Sequence, residues 1–174
     1  MQTTGCQKEY SYEGSDSTIH KDSILPPVVK EFPECSLCRA TDDLLLAKWN
    51  FNTGNSFLCG VVNKAGFVGG NKTFTFFGPS ACSIDTGLVM TVYFPIALDQ
   101  DMYNITTNEV AFYYYDHHAT QDIFISQPLK PFSVTLQSFI YATGIATGTF
   151  NGTVFKPNGD TAFIGEGKFK VKLR

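Results

Sequence analysis

Residues 145–173 read IATGTFNGTVFKPNGDTAFIGEGKFKVKL, and this stretch decides the fold. Its end alternates strictly, because lysines separate Phe169, Val171 and Leu173. Successive side chains of a strand point to opposite faces, so the pattern predicts a strand with one dry and one wet face. The Asn-Gly pair at 158–159, between two such runs, is typical of a two-residue type I′ turn. The stretch therefore predicts an antiparallel β-hairpin.

The rest of the chain repeats this character as about nine short strands, separated by turns rich in Gly, Asn and Pro. The first predicted strand runs through 44–51, with Leu45, Ala47, Trp49 and Phe51 on one face. Residues 88–94 are apolar on both faces and predict a central strand, whereas 96–104 predict a loop or a weak helix. We therefore expect an all-β antiparallel β-sandwich, with jelly-roll or immunoglobulin-like topology favoured over a barrel.

Composition sets the size and excludes some functions. The 174 residues carry 43% hydrophobic and 17% charged residues and a net charge of −3, which suits one domain with a tail and argues against a nucleic-acid partner. The basic stretch at 168–174 predicts lysines that solubilise a face or guard a sheet edge. The sequence contains no apolar run of about 18 residues, so no membrane-spanning helix is predicted.

The first 40 residues differ from those that follow. They are polar and turn-rich, and they contain Pro26, Pro27 and Pro33, which favour extended conformations. Residues 1–40 are therefore predicted to be a tether, and residues 41–174 the β-sandwich domain.

Five cysteines carry the clearest covalent signal. A bond between Cys35 and Cys38 closes a very small ring, so each of these is expected to pair with Cys59 or Cys82, in either combination. Two disulfides imply an oxidising compartment. A four-thiolate zinc site and free buried thiols are the alternatives, but structural zinc usually shows two close cysteine pairs. Cys6 is the odd cysteine.

Two polar clusters are candidate metal sites. Asp116, His117 and His118, with Asp122, have metal-ligating side chains, but adjacent histidines in a strand point to opposite faces, so a polar hairpin loop is favoured. A second cluster at 99–104 offers oxygens for calcium without the spacing of an EF-hand loop, so a surface turn is favoured. The residues of the second cluster are Asp99, Asp101 and Asn104. No metal and no cofactor are predicted for this chain.

Aromatic residues offer the only candidate ligand surface. In a strand, Tyr113 and Tyr115 share one face, and with Trp49 they are candidates for a flat platform on which a sugar ring or a peptide stacks. The alternative is that they are core aromatics with wet hydroxyl tips. No nucleophile elbow, phosphate loop or carboxylate pair is present, so no catalytic residue is assigned and the protein is predicted not to be an enzyme.

The N-terminal residues Thr3-Thr-Gly-Cys6-Gln-Lys-Glu-Tyr-Ser resemble the mature start of bacterial lipoproteins, in which small residues precede a lipidated cysteine and a polar tether follows. Thr stands where that pattern expects Leu. The resemblance implies acyl groups on Cys6, and it leaves an even four cysteines for disulfides.

The domain resembles a family of β-sandwich surface lipoproteins of Bacteroidota type, which has no established activity to transfer. The residues that carry this resemblance are Trp49-Asn-Phe, Cys59-Gly, Phe76-Phe-Gly-Pro-Ser-Ala-Cys82, Gly148-Thr-Phe-Asn-Gly-Thr and Gly167-Lys-Phe-Lys-Val. It implies a cell-envelope location, at the outer membrane or cell surface, with the membrane as a partner through the lipid. The expected function is a non-catalytic binding or structural module for a glycan or protein ligand. A carbohydrate-binding module and a hydrolase with an unrecognised site are the alternatives.

Overall fold

The computed structural model describes residues 35–39, 44–54, 56–116 and 121–173, with the backbone alone at 121 and 122. Within these ranges the chain forms eleven β-strands and no helix. The strands are β1 (Lys48–Thr53), β2 (Ser56–Val61), β3 (Lys64–Phe67), β4 (Thr73–Pro79), β5 (Thr86–Tyr93), β6 (Met102–Thr107), β7 (Val110–Asp116), β8 (Gln121–Ile125), β9 (Phe132–Ile140), β10 (Ile145–Phe155) and β11 (Thr161–Lys172).

All eleven strands belong to one antiparallel sheet, which confirms the all-β antiparallel prediction. The main order is β2-β1-β11-β10-β8-β7-β5-β4-β3. Strand β9 also pairs with β10, along residues 145–152, and β6 pairs with β9. The two ends of the main order, β2 and β3, are consecutive in the chain and are separated only by residues 62–63. The sheet therefore curls strongly, as half of a barrel does.

The hairpin of β10 and β11 forms as predicted. Phe169, Val171 and Leu173 are buried, and the lysines between them face outward. The connecting turn was predicted wrongly. The Lys156 N–H donates to the Asp160 carbonyl, and of the residues between them Gly159 alone has a positive φ, of 87°, so the three-residue loop 157–159 replaces the type I′ turn. Such loops place glycine at the left-handed position that follows a type I turn.

Strand β11 lies inside the sheet, between β1 and β10. The interpretation of its lysines as guards of a sheet edge was therefore wrong, because both edges of β11 are paired. Lys168 and Lys170 are half-buried and Lys172 is exposed, so these side chains cover the wet face of an internal strand. Their long methylene stems suit such a position, since only the ammonium head needs water.

The count of nine strands was two too low. Strand β3 carries only four residues before a glycine-rich turn, and β6 begins inside the segment 96–104 that was predicted to be a loop or a weak helix. The β6 residues show no apolar alternation, and Asn104 within it has a positive φ of 54°. Its strand conformation comes from pairing with β9 rather than from its own sequence pattern.

The first strand begins later than predicted, at Lys48. Ala47 has a positive φ of 61°, which redirects the chain and breaks the alternation. As a result Leu45 is 73% exposed, although the pattern placed it on one face with Trp49 and Phe51, which are buried.

The concave side of the curled sheet is filled by aromatic rings. Phe51 packs edge-on against Phe112, with ring centroids 5.7 Å apart, and Phe76 lies 5.1 Å from Phe169. Both contacts join strands that are far apart in the sheet order. A single cluster of buried residues runs through the described part of 41–174. Rings of this size bury the most apolar area per residue, so they dominate the packing energy.

Three glycines make room for these rings. Trp49, Phe150 and Phe169 each pair across strands with a glycine, and a Cβ added to that glycine would collide with the ring. The glycines are Gly60, Gly167 and Gly148 respectively. Close ring-to-backbone packing therefore explains glycine in the middle of these strands, where it otherwise weakens a sheet.

Candidate functional site

Two disulfides join the segment before β1 to the sheet. Cys35 pairs with Cys82 and Cys38 with Cys59, with Cα separations of 5.7 and 5.4 Å. This is one of the two pairings that the sequence left open, and the small Cys35–Cys38 ring is not formed. Sulfur atoms that are bonded in pairs are not available as the four thiolate ligands of a zinc ion.

The bridges hold the short turn at residues 35–38 against the end of β2 and the β4–β5 loop. Within the turn, the Cys38 N–H donates to the Cys35 carbonyl at 3.0 Å. The Ala81 N–H donates to the Cys59 carbonyl at 2.9 Å, which ties the loop to β2 beside both bridges. The disulfide at Cys38 attaches the chain to the sheet, and nine residues separate Cys38 from the start of β1. Residues 35–39 are therefore positioned by cross-links rather than by strand pairing.

Trp49 is a core residue, so its assignment to a ligand platform was wrong. Its side chain is fully buried, and its Nε1–H donates to the Val61 carbonyl at 3.1 Å. The indole ring stacks on Phe51, with centroids 5.8 Å apart, and meets Tyr114 edge-on at 6.2 Å. A ring with these contacts presents no face to a ligand.

Tyr113 and Tyr115 do share the outward face of β7, as the alternation predicted. Tyr113 is 39% exposed. Tyr115 is half-buried and packs across Gly87 on β5, where a Cβ would collide with its hydroxyl end. Burial raises the pKa of Tyr115 above its ordinary value. Of the three platform candidates, Tyr113 is thus the one with an open ring.

Sequence reasoning missed the neighbours that extend this surface. In the register of the sheet, Phe77, Val89, Tyr113 and Ile125 lie side by side on β4, β5, β7 and β8. We call these four residues the outer row. Phe77 is exposed to the same extent as Tyr113, whereas Val89 and Ile125 are half-buried. Phe77 directly follows the core residue Phe76. Because side chains alternate along a strand, this position is the sequence signal that could have identified Phe77 as an outward residue.

Tyr114, between the two outward tyrosines, points into the core. Its hydroxyl donates to the Thr86 Oγ1 at 3.4 Å. Burial raises the pKa of Tyr114, while its hydrogen bonds with Thr86 and Ser80 act in the opposite direction. A buried phenol of raised pKa stays neutral at physiological pH, which suits its position in the core.

The predicted polar clusters divide between described and undescribed residues. His117, His118 and the Asp122 side chain lie outside the described residues, as does Cys6. In the 99–104 cluster, Asp101 Oδ1 accepts a hydrogen bond of 2.8 Å from the Tyr141 N–H. This bond ties Asp101 to the turn between β9 and β10. Asp99 lies in an exposed bend, as the surface-turn interpretation expects, but Asn104 lies in β6, so that interpretation was wrong there.

Within the described ranges, the only grouping of three or more His, Cys, Asp or Glu side chains close enough to share a metal is Cys35, Cys38 and Cys82, all bonded in disulfides. No helix in those ranges has the length and apolar character needed to cross a membrane. Comparison of the chain with family models, with curated proteins and with solved structures finds no match.

Proposed function

We propose that this chain is a non-catalytic binding or structural module, held at the outer membrane or cell surface by acyl groups on Cys6. The observation that carries the proposal is the cysteine arithmetic. The chain has five cysteines, and four of them form the two disulfides, so Cys6 has no cysteine left to pair with inside the chain. Two disulfides in one domain are typical of a protein exported to an oxidising compartment.

The resemblance of residues 3–11 to a lipoprotein start supports the same proposal, and so does the resemblance of the domain to Bacteroidota-type surface lipoproteins. An acyl anchor would make the membrane a partner through lipid alone, since a buried chain contributes about 0.8 kcal/mol per CH₂. The sheet itself would remain free to bind a glycan or a protein.

The experiment is mass spectrometry of the N-terminal peptide from native protein extracted with detergent. We expect acyl groups on Cys6, and partition of the protein into the detergent phase. The Cys6→Ser variant should move to the aqueous phase, while Cys82→Ser, expressed as a matched cysteine control, should remain in detergent. An unmodified Cys6 in the native protein would overturn the anchor.

We propose further that the fold is a strongly curled relative of the β-sandwich. The contacts of Phe51 with Phe112 and of Phe76 with Phe169 support this, because they join opposite limbs of the sheet as the two inner faces of a sandwich are joined. The core is closed by these rings, which leaves the outer surface for ligands.

Carbohydrate binding is the second candidate, and the outer row favours it. Phe77 and Tyr113 are exposed to equal extent on the two sides of Val89, and together they form an outward surface on which a sugar could stack through its apolar face. Glycan-array binding should be lost in Tyr113→Ala and kept in Tyr103→Ala, since Tyr103 is an exposed tyrosine on β6, in another part of the sheet. Equal binding by both variants would exclude the outer row.

A further inference from the structure

A cavity of about 380 Å³ lies beside the Cys38–Cys59 disulfide. It is lined by the turn at 35–39, the segment before β1, and the adjoining parts of β1 and β2. Its volume falls at the lower end of the range for small-molecule sites. Trp49 is the core residue that this cavity touches, and no member of the outer row lines it.

Apolar side chains form the lips of this cavity. Leu37 and Leu45 are 71% and 73% exposed, and Leu44 beside them is half-buried. Large aliphatic side chains usually avoid such exposure, and a group of them around one opening marks a site for an apolar partner. The positive φ of Ala47 and the cross-link at Cys38 hold the two lips in place.

A polar side chain without a partner lies in the wall. Asn50 is only 3% exposed, and its Oδ1 has no hydrogen-bond partner. A buried carbonyl oxygen without a donor costs about 1–3 kcal/mol, so native proteins seldom keep one without a reason. Rotation about χ2, which is a soft torsion in asparagine, would turn the amide toward the cavity.

The charge of the wall is one-sided. Arg39 and Lys48 both line the cavity, and neither forms an ion pair with another described residue. No acidic side chain is among the described residues of the lining. The described part of the lining therefore carries two cationic side chains, which favours an anionic ligand.

We propose that this cavity binds a small apolar carboxylate that carries an amide N–H, the chemistry shared by an N-acyl amino acid and a peptide C-terminus. The carboxylate pairs with Arg39 and Lys48, the N–H donates to Asn50 Oδ1, and the aliphatic part packs between Leu37 and Leu45. The inference rests on the proposed binding function and names a ligand class for it, but it does not depend on the Cys6 anchor.

The test is a titration of the oxidised protein, followed by NMR chemical shifts, with N-acetyl-L-leucine as the probe. Two analogues remove one feature each: N-acetyl-L-leucinamide lacks the carboxylate, and 4-methylpentanoate lacks the amide. We expect the full probe to bind about tenfold more tightly than either analogue. Loss of one hydrogen bond to a charged group or to a buried amide weakens binding by about that factor. Shifts should concentrate at residues 37–39, 44–50 and 59–60.

Variants separate a binding role of Asn50 from a structural one. Asn50→Leu should abolish the preference for the probe over 4-methylpentanoate, and it should leave the melting temperature unchanged or higher, because the amide oxygen has no bond to lose. Arg39→Gln with Lys48→Gln should abolish the preference over the amide. Lys130→Gln, an exposed lysine in the β8–β9 loop, is the matched control and should change neither preference.

Failure of the probe to saturate at millimolar concentration, equal affinity for the probe and both analogues, or a lower melting temperature of Asn50→Leu would each overturn this site. An acylated Cys6 combined with any of these results would leave the envelope module standing and remove the ligand class alone. Tighter binding of acetyl-Gly-Gly-Leu than of N-acetyl-L-leucine would identify a peptide C-terminus as the source, and equal binding a free N-acyl amino acid.

Discussion

The two disulfides should contribute unequally to stability, in an order set by the nesting of their loops. The Cys38–Cys59 bridge spans 21 residues and lies inside the 47-residue span of Cys35–Cys82. We consider two double variants, Cys35→Ala/Cys82→Ala and Cys38→Ala/Cys59→Ala. Each removes one bridge, leaves the other intact and creates no free thiol within the pairs.

The cost of each removal follows from the loop that the bridge closes in the unfolded chain. With Cys38–Cys59 intact, the outer bridge closes a path of 3 residues from Cys35 to Cys38 and 23 residues from Cys59 to Cys82. Chain entropy for such a loop gives about 3.5 kcal/mol. With the outer bridge intact, the inner bridge divides a closed ring and acts like a loop of about 12 residues, which gives about 2.8 kcal/mol.

Urea denaturation of both variants and of the wild-type protein, at one temperature and without reductant, measures these losses. We expect the outer-bridge variant to be less stable than the inner-bridge variant by about 0.7 kcal/mol. A reversed order, or a loss below about 1 kcal/mol for both variants, would refute the entropic reasoning. It would mean that the turn at 35–38 already restricts the unfolded chain or is poorly held in the folded one.

The remaining predictions concern the cysteines, the core and alkaline pH. Intact mass of the oxidised domain should lie four hydrogens below that of the reduced chain, whereas four alkylatable thiols with a bound zinc ion would contradict the disulfides. Gly60→Ala should lower the free energy of unfolding by about 3 kcal/mol, because its Cβ would collide with the Trp49 ring and with a backbone carbonyl that cannot move aside. Gly66→Ala is the control, since nothing lies near its Cβ. Equal melting temperatures of the two variants would contradict the packing. Since burial raises the folded-state pKa of Tyr114 above 10.0, its stabilising contribution is complete below pH 10 and is lost as the pH rises through the folded value. In melting temperatures measured across pH, Tyr114→Phe should therefore lose stability less steeply than the wild-type protein above pH 10. An unchanged slope of melting temperature against pH in this range would contradict the raised pKa of Tyr114.

Local patterns were informative where a strand has one clear dry face. The alternation at 169–173 gave the correct buried set, and the same rule placed Tyr113 outward and Tyr114 inward. The short separation of Cys35 and Cys38 favoured pairing of each with Cys59 or Cys82, as the structure has it. These conclusions depend only on backbone geometry over a few residues, which the sequence expresses directly.

Local patterns misled where one residue changes the backbone direction. The alternation from Leu45 to Phe51 reads as a single strand, yet Ala47 adopts a positive φ and sends Leu45 into solvent. Trp49 was assigned to a surface for a related reason: periodicity states which residues share a face, and it does not state which face is covered.

The sequence by itself determined an antiparallel all-β chain, the inward set of its last strand and the pool from which the disulfides are drawn. The tertiary structure decided that all strands form one curled sheet, that the lysines of β11 lie on an internal strand, and that Phe77 and Tyr113 flank Val89 in the outer row. It also brought Arg39, Lys48 and Asn50 to one cavity. The physical reason is that strand register and sheet order are set by contacts between residues far apart in the chain, and the free energy of those contacts is not visible in any single segment.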